Sequence, residues 1–121
     1  MTLARQELGK IGEDLAAREL ERRGYAITAR RYRTRCGEID IVAERDGVLV
    51  FVEVKTREHA EFGTAAEAVT PWKQRRVIRM AKDYLTRERI ADRPCRFDVV
   101  TVMFDRTDPV IEVYVNAFDA C

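Results

Sequence analysis

The stretch VLVFVEVKTR at positions 48–57 constrains the fold more than any other. Its first five residues are all apolar and mostly β-branched or aromatic, so a strand made from them is apolar on both faces. Such a strand is stable only in the interior of a sheet covered on both sides. Asp46-Gly47 immediately before it is a strong signal for a two-residue hairpin turn, and EIDIVAER at 38–45 supplies the partner strand.

The rest of the chain dresses that hairpin. YAITARRYRT at 25–34 reads as a third strand. Before it, Leu8, Ile11, Leu15, Ala16 and Leu20 recur at helical spacing and Gly24 ends the run, which predicts a helix over about residues 3–23. Thr70-Pro71 forms an N-cap with proline at the first helical position. Val77, Ile78, Ala81, Tyr84 and Leu85 then supply an apolar face to about residue 89. RFDVVTVMF at 96–104 and VIEVYVNAF at 110–118 are two more strands, joined by a turn containing Asp108-Pro109. The expected fold is α/β, ordered α-β-β-β-α-β-β, with a central mixed sheet flanked by helices. The 121 residues suit one domain over 1–121 with no linker.

Charge narrows the function. Hydrophobic residues make up 46% and charged residues 36%, which gives a core and an unusually ionic surface and excludes a disordered chain. No apolar run approaches the ~18 residues of a membrane span, and MTLARQELGK carries charges where a signal peptide needs its apolar stretch. The expectation is a soluble, cytoplasmic protein without a membrane partner or organic cofactor. Cys36, Cys95 and Cys121 are odd in number and far apart, with no Cys or His at ligand spacing, so they read as reduced thiols. His59, the one histidine, reads as a loop residue.

The net charge of +1 conceals segregation. Residues 18–35 hold seven arginines against two acids, residues 70–89 hold seven Lys or Arg against two acids, and residues 36–54 hold five acids against one arginine. An acidic centre between basic segments suits a protein that holds a cation in the middle and a polyanion around it. Chance clustering on a solvated surface gives the same counts.

If Asp46-Gly47 is a two-residue turn, Arg45 lies opposite Val48. Counting outward then sets Asp40 opposite Glu53 and Glu38 opposite Lys55. Strict alternation puts all four on one face of the sheet. Like charges placed directly opposite destabilise a sheet, and ionised groups in an apolar strand are costly unless paired or metal-bound. A divalent cation, Mg²⁺ or Mn²⁺, answers both problems, with the Asp40 and Glu53 carboxylates, a backbone carbonyl and waters as its oxygen shell. Lys55, one step along, could then orient or deprotonate a water. Alternatives remain open at this point: a Glu38–Lys55 cross-strand salt bridge, or one carboxyl of the acidic pair protonated or exposed at the strand end. A three-residue loop would shift the register. Eighteen of 22 basic residues are arginine, and the lysines are Lys10, Lys55, Lys73 and Lys82. Only a lysine can lose its proton when desolvated, which adds a small hint of chemistry at Lys55.

Glu13 on the first helix, GEID at 37–40 and EVK at 53–55 together resemble the PD-(D/E)xK nuclease superfamily, and the helix-hairpin order is similar to that of archaeal Holliday-junction resolvases. More narrowly, GKIGEDLA at 9–16, GEIDIVA, FVEVKTR at 51–57, FG at 62–63, KQRR at 73–76, RFDVV at 96–100 and NAF at 116–118 resemble the YraN family, also called UPF0102. The superfamily resemblance implies a restriction-endonuclease-like fold. It implies Asp40 and Glu53 as metal ligands with the Val54 carbonyl, Lys55 as general base or water-positioning lysine, and Glu13 as a further acid reaching the metal. Gly12 beside Glu13 permits close helix-sheet approach. Glu38 matches the family motif and is assigned to Lys55.

On the second helix, Lys73, Arg76 and Arg79 share one side and can bind phosphates, or form an ordinary solvated face. Gln74 falls on the inward side, to point at the site or to satisfy a buried backbone group. Tyr32, Trp72 and Phe62 can stack on bases or serve core and edge packing. The leading expectation is a metal-dependent endonuclease hydrolysing phosphodiester bonds in DNA, including branched or flapped DNA, with two copies acting together at a junction. The alternatives are a nucleic-acid-binding module without turnover and a scaffold on the same fold.

Overall fold

Asp46 and Gly47 both take positive φ, 51° and 81°, and close the hairpin on which the molecule is built. The structure is a computed structural model and describes residues 5–58, 69–104 and 108–119. The expectations for His59, Phe62 and Cys121 fall outside the described residues. Helix α1 (Arg5–Arg22) leads into β1 (Ala26–Thr34), β2 (Gly37–Arg45) and β3 (Val48–Arg57). Helix α2 (Pro71–Arg87), β4 (Cys95–Met103) and β5 (Val110–Phe118) follow. This is the element order that the periodicities predict.

The five strands form one sheet in sequence order. β3 pairs antiparallel with β2 and parallel with β4, and β1 and β5 join antiparallel at the edges. The parallel pair requires a crossover, and α2 lies within it. As its composition demands, β3 is central. Leu49 and Phe51 enter the core under α2, with Val42, Val77, Met80, Tyr84 and Phe97. Val50 and Val52 enter the core under α1, with Ala16, Leu20, Ile41 and Val100. Full burial of each large apolar side chain contributes roughly 1.5–3 kcal/mol.

The helix ends follow their sequence signals. Gly24, at φ 95°, lets its own N–H reach the Glu21 carbonyl and the Tyr25 N–H reach that of Leu20, closing α1. Thr70 caps α2 by accepting from the Lys73 N–H at 3.2 Å, with Pro71 opening the helix. Ile11 departs from the expected α1 face and is 38% exposed. The α1 stripe that packs is Ala16, Ala17 and Leu20, because small residues let the helix lie close to the sheet. Gly12 shows the same closeness, since a Cβ there would overlap Thr56 Oγ1 on β3. No helix of the described residues is long and apolar enough to cross a membrane.

Candidate functional site

The hairpin ladder runs in the expected register from Arg45 opposite Val48 to Ile41 opposite Val52, and there it stops. Beyond this point β3 stays with β4 as far as Arg57 opposite Met103, while β2 stays with β1 as far as Gly37 opposite Thr34. The sheet forks, and Asp40 and Glu53 sit at the fork. The Val54 N–H, deprived of a ladder partner, donates to Asp40 Oδ2 at 2.8 Å.

The fork also breaks the alternation of β2. Ile41 belongs to the core under α1, whereas Ile39, two residues away, belongs to the core under α2. Between them lies Asp40, and across on β1 lies Arg31 at φ 53°. The expected single face for Glu38, Asp40, Glu53 and Lys55 is therefore not formed. Carboxylate oxygens of Glu38 and Asp40 instead converge with one of Glu13, all within 4.8 Å of one another, while Glu53 meets Lys73 of α2. Nor does Glu38 pair with Lys55: its partner is Arg33 at 3.5 Å, its direct neighbour across the β1–β2 ladder.

The fork opens into a cleft of about 890 Å³ between α1, β1, β2, β3 and the first turn of α2. Glu53 lies behind it, 4% exposed, with Oε1 3.3 Å from Lys73 Nζ and Oε2 buried without a hydrogen-bond donor among the described residues. Burial first, then the nearby charge of Glu53, push the Asp40 carboxyl up to about 8; the Val54 N–H and Lys73 pull the other way. Two neighbouring carboxylates repel, and a proton or a cation beside them would relieve that repulsion. Glu13, 7% exposed, receives Arg30 and Arg31 at 3.2 Å on Oε1. Burial raises its pKa and Asp40 raises it further, against the two arginines. Clustered, partly desolvated carboxylate oxygens with an unmet acceptor are the donor set that a hard divalent cation takes, so these residues fit Mg²⁺ or Mn²⁺.

Lys55 lines the cleft and makes no hydrogen bond or ion pair among the described residues. Cations surround the acids: Lys10, Arg31, Arg33, Lys55, Arg57 and Lys73 all line the same cleft. The helical spacing of α2 pointed to only one of them besides Lys55 in the motif. Arg31 and Arg33 were visible as part of a basic segment, but only the left-handed turn at Arg31 decides which way they face.

The residues read from α2 separate. Lys73 reaches into the cleft and pairs with Glu53, Arg76 donates from Nε to the Cys36 carbonyl at 3.2 Å, and Arg79 is exposed. Gln74 takes the backbone role, its Nε2 donating to the Val69 carbonyl at 2.9 Å. Tyr32 packs edge-on against Tyr84 and donates its hydroxyl to Asp83, whereas Trp72 is 62% exposed and packs into no core. Cys36 and Cys95 are free thiols.

One buried acid escaped the sequence reading. Asp98, fully buried, accepts from the Tyr25 hydroxyl at 2.8 Å, from the Arg96 guanidinium at 3.0 Å and from the Asn116 N–H at 2.9 Å. Asn116 takes φ 54° where β5 bulges against β4, which ties the RFDVV and NAF motifs into one structural knot. With three kinds of donor satisfied, Asp98 is a structural residue.

Comparison with known proteins gives the chain a family. The family model for "Uncharacterised protein family UPF0102" matches residues 12–102. A UPF0102 protein of Symbiobacterium thermophilum is 54% identical over 97 residues, covering 80% of this chain and 82% of its own. One from Moorella thermoacetica is 47% identical over 98% of this chain and 100% of its own, and one from Geobacter metallireducens is 44% identical over 98% of each. On the family match and on these near full-length relatives, the chain belongs to the UPF0102 family.

Proposed function

We propose that this protein is a metal-dependent endonuclease that hydrolyses phosphodiester bonds in DNA, with Mg²⁺ or Mn²⁺ held at the fork. The observation that carries this reading is the acidic pair Asp40–Glu53 at the base of a cleft rimmed by cations. A pure phosphate binder gains nothing from acids beside phosphates, which repel them. Asp40, Glu53, Glu13 and the Val54 carbonyl would hold the cation, and Glu38 joins them through its convergence with Glu13 and Asp40. The bound cation supplies Lewis acidity at the phosphoryl group and a more acidic water. Lys55, unpaired among the described residues, orients or deprotonates the attacking water. Lys10, Arg31 and Arg33 neutralise the backbone that enters the cleft. The substrate class extends to branched or flapped DNA. Symmetric cutting of a four-way junction would take two copies related by a two-fold axis. A DNA substrate fits the cytoplasmic location expected from the sequence.

The test is cleavage of linear, flapped and four-way DNA by wild type and Glu53→Gln, with each metal and with chelator. Wild type is expected to cut in metal alone, and Glu53→Gln to lose at least ~100-fold. Intact DNA of all three kinds with wild type would overturn the reading. A second reading, a nucleic-acid-binding module without turnover, is favoured by one contact. The Lys73 ammonium, 3.3 Å from Glu53, already puts a positive charge beside the acids. That reading expects chelator-insensitive DNA binding and no cleavage.

A further inference from the structure

Trp72 is the only tryptophan of the chain, and it is 62% exposed although an indole is usually well buried. It occupies the second position of α2, directly before Lys73, which lines the cleft. One face of its ring is covered by Arg76, whose Cζ lies 5.3 Å from the ring centroid. Arg76 is fixed in turn: its Nε donates to the Cys36 carbonyl at 3.2 Å, and a Cβ built on Gly37 would come within 2.6 Å of the same nitrogen. Gly37 directly precedes Glu38, another residue of the cleft. The indole thus stands beside the cleft, next in sequence to Lys73, with Arg76 over its ring and most of its surface exposed.

A protein partner would need a broader apolar patch, and among the described residues the other exposed large hydrophobics, Ile11, Val110 and Val115, lie on different elements. Along α2, Arg75, Arg76 and Arg79 follow Trp72 at helical spacing, and Lys73 is its neighbour in sequence. A flat aromatic ring among cations suits a polyanion that carries flat rings of its own. We infer that Trp72, backed by Arg76, is a stacking platform for an unpaired base of the DNA strand that enters the cleft. This rests on the DNA reading above and sharpens it, because bases within a duplex are already stacked. The preferred substrate is therefore a strand end, flap or junction with a free base next to the bond that is cut.

Because the tryptophan is unique, intrinsic fluorescence reports on it directly. Wild type is titrated with a labelled oligothymidylate, with an abasic strand of equal length and with a duplex, in Ca²⁺ and again in EDTA. Tryptophan emission and label anisotropy are followed together. Oligothymidylate is expected to quench the emission and the abasic strand not to. Trp72→Ala should weaken oligothymidylate binding at least about fivefold while leaving abasic affinity unchanged, and Trp72→Phe should retain most of it. Equal oligothymidylate affinity in wild type and Trp72→Ala, with emission unmoved, would overturn the platform and leave the DNA reading standing. Absence of anisotropy change with every strand would overturn both.

Discussion

Replacing Asp40 by asparagine should make the metal-free protein more stable at alkaline pH, and the size of the effect follows from the fork. The Asp40 carboxyl is pushed up to about 8 by burial and by Glu53, from an ordinary value of 3.8. Between those two values the folded chain keeps a proton that the unfolded chain has released. Stability therefore falls as pH rises through this window and levels off above it. Each pH unit inside the window costs at most about 1.4 kcal/mol, and structural relaxation and water entry reduce the total. From pH 5 to pH 8 the wild type should lose about 2–3 kcal/mol relative to Asp40→Asn. Asparagine can still accept the Val54 N–H through Oδ1, while its amide donates to Glu53. Thermal unfolding of both proteins in chelator at pH 5, 6.5 and 8 measures the difference, because groups common to both cancel. The melting temperatures should diverge by about 10 °C across the range, at roughly 4–5 °C per kcal/mol for a domain of this size. Adding Mg²⁺ at pH 8 should close most of that gap by stabilising wild type alone. Parallel melting curves from pH 5 to 8 would show that the two acids do not share a proton, and the reasoning from the fork would fail.

Lys55→Arg should fold and bind DNA yet cleave at least ~100-fold more slowly, because a guanidinium neither deprotonates nor fits where an amine does; single-turnover cleavage measures this. Asp98→Ala should cost about 3–5 kcal/mol by urea denaturation, since it strands the Arg96 guanidinium, the Tyr25 hydroxyl and the Asn116 N–H together. Gly12→Ala should cost about 1–3 kcal/mol through overlap with Thr56, and adding Thr56→Ala in the same chain should recover most of it in thermal unfolding.

The hairpin register was legible because Asp46-Gly47 fixes it locally, and from there each cross-strand pair as far as Ile41 opposite Val52 follows by counting. The fork was not legible. Beyond Ile41 and Val52 the two strands part, β2 continuing on β1 and β3 on β4, and no local pattern announces that divergence. The partner of Glu38 was misassigned for the same reason: Arg33 lies on a strand outside the hairpin being counted. Strict alternation failed at Asp40 because a carboxylate replaced a backbone acceptor there, and side-chain identity alone does not show when that happens. Gln74 could be narrowed to two roles by its helical position, and the Val69 carbonyl chose between them.

The outer strands carry a further consequence. β1 slips register between Ile27 and Ala29, and β5 between its partners of Phe97 and Val99, with Asn116 in the left-handed region. A kinked border shortens the run of hydrogen bonds that it can offer a neighbour, so each rim of the sheet is a poorer template for an added strand than a straight edge of the same length. The shifts thereby work against copies zipping together strand by strand, even though Val110 and Val115 leave apolar surface on β5. They also disfavour a continuous ten-stranded sheet as the way in which two copies would pair on DNA.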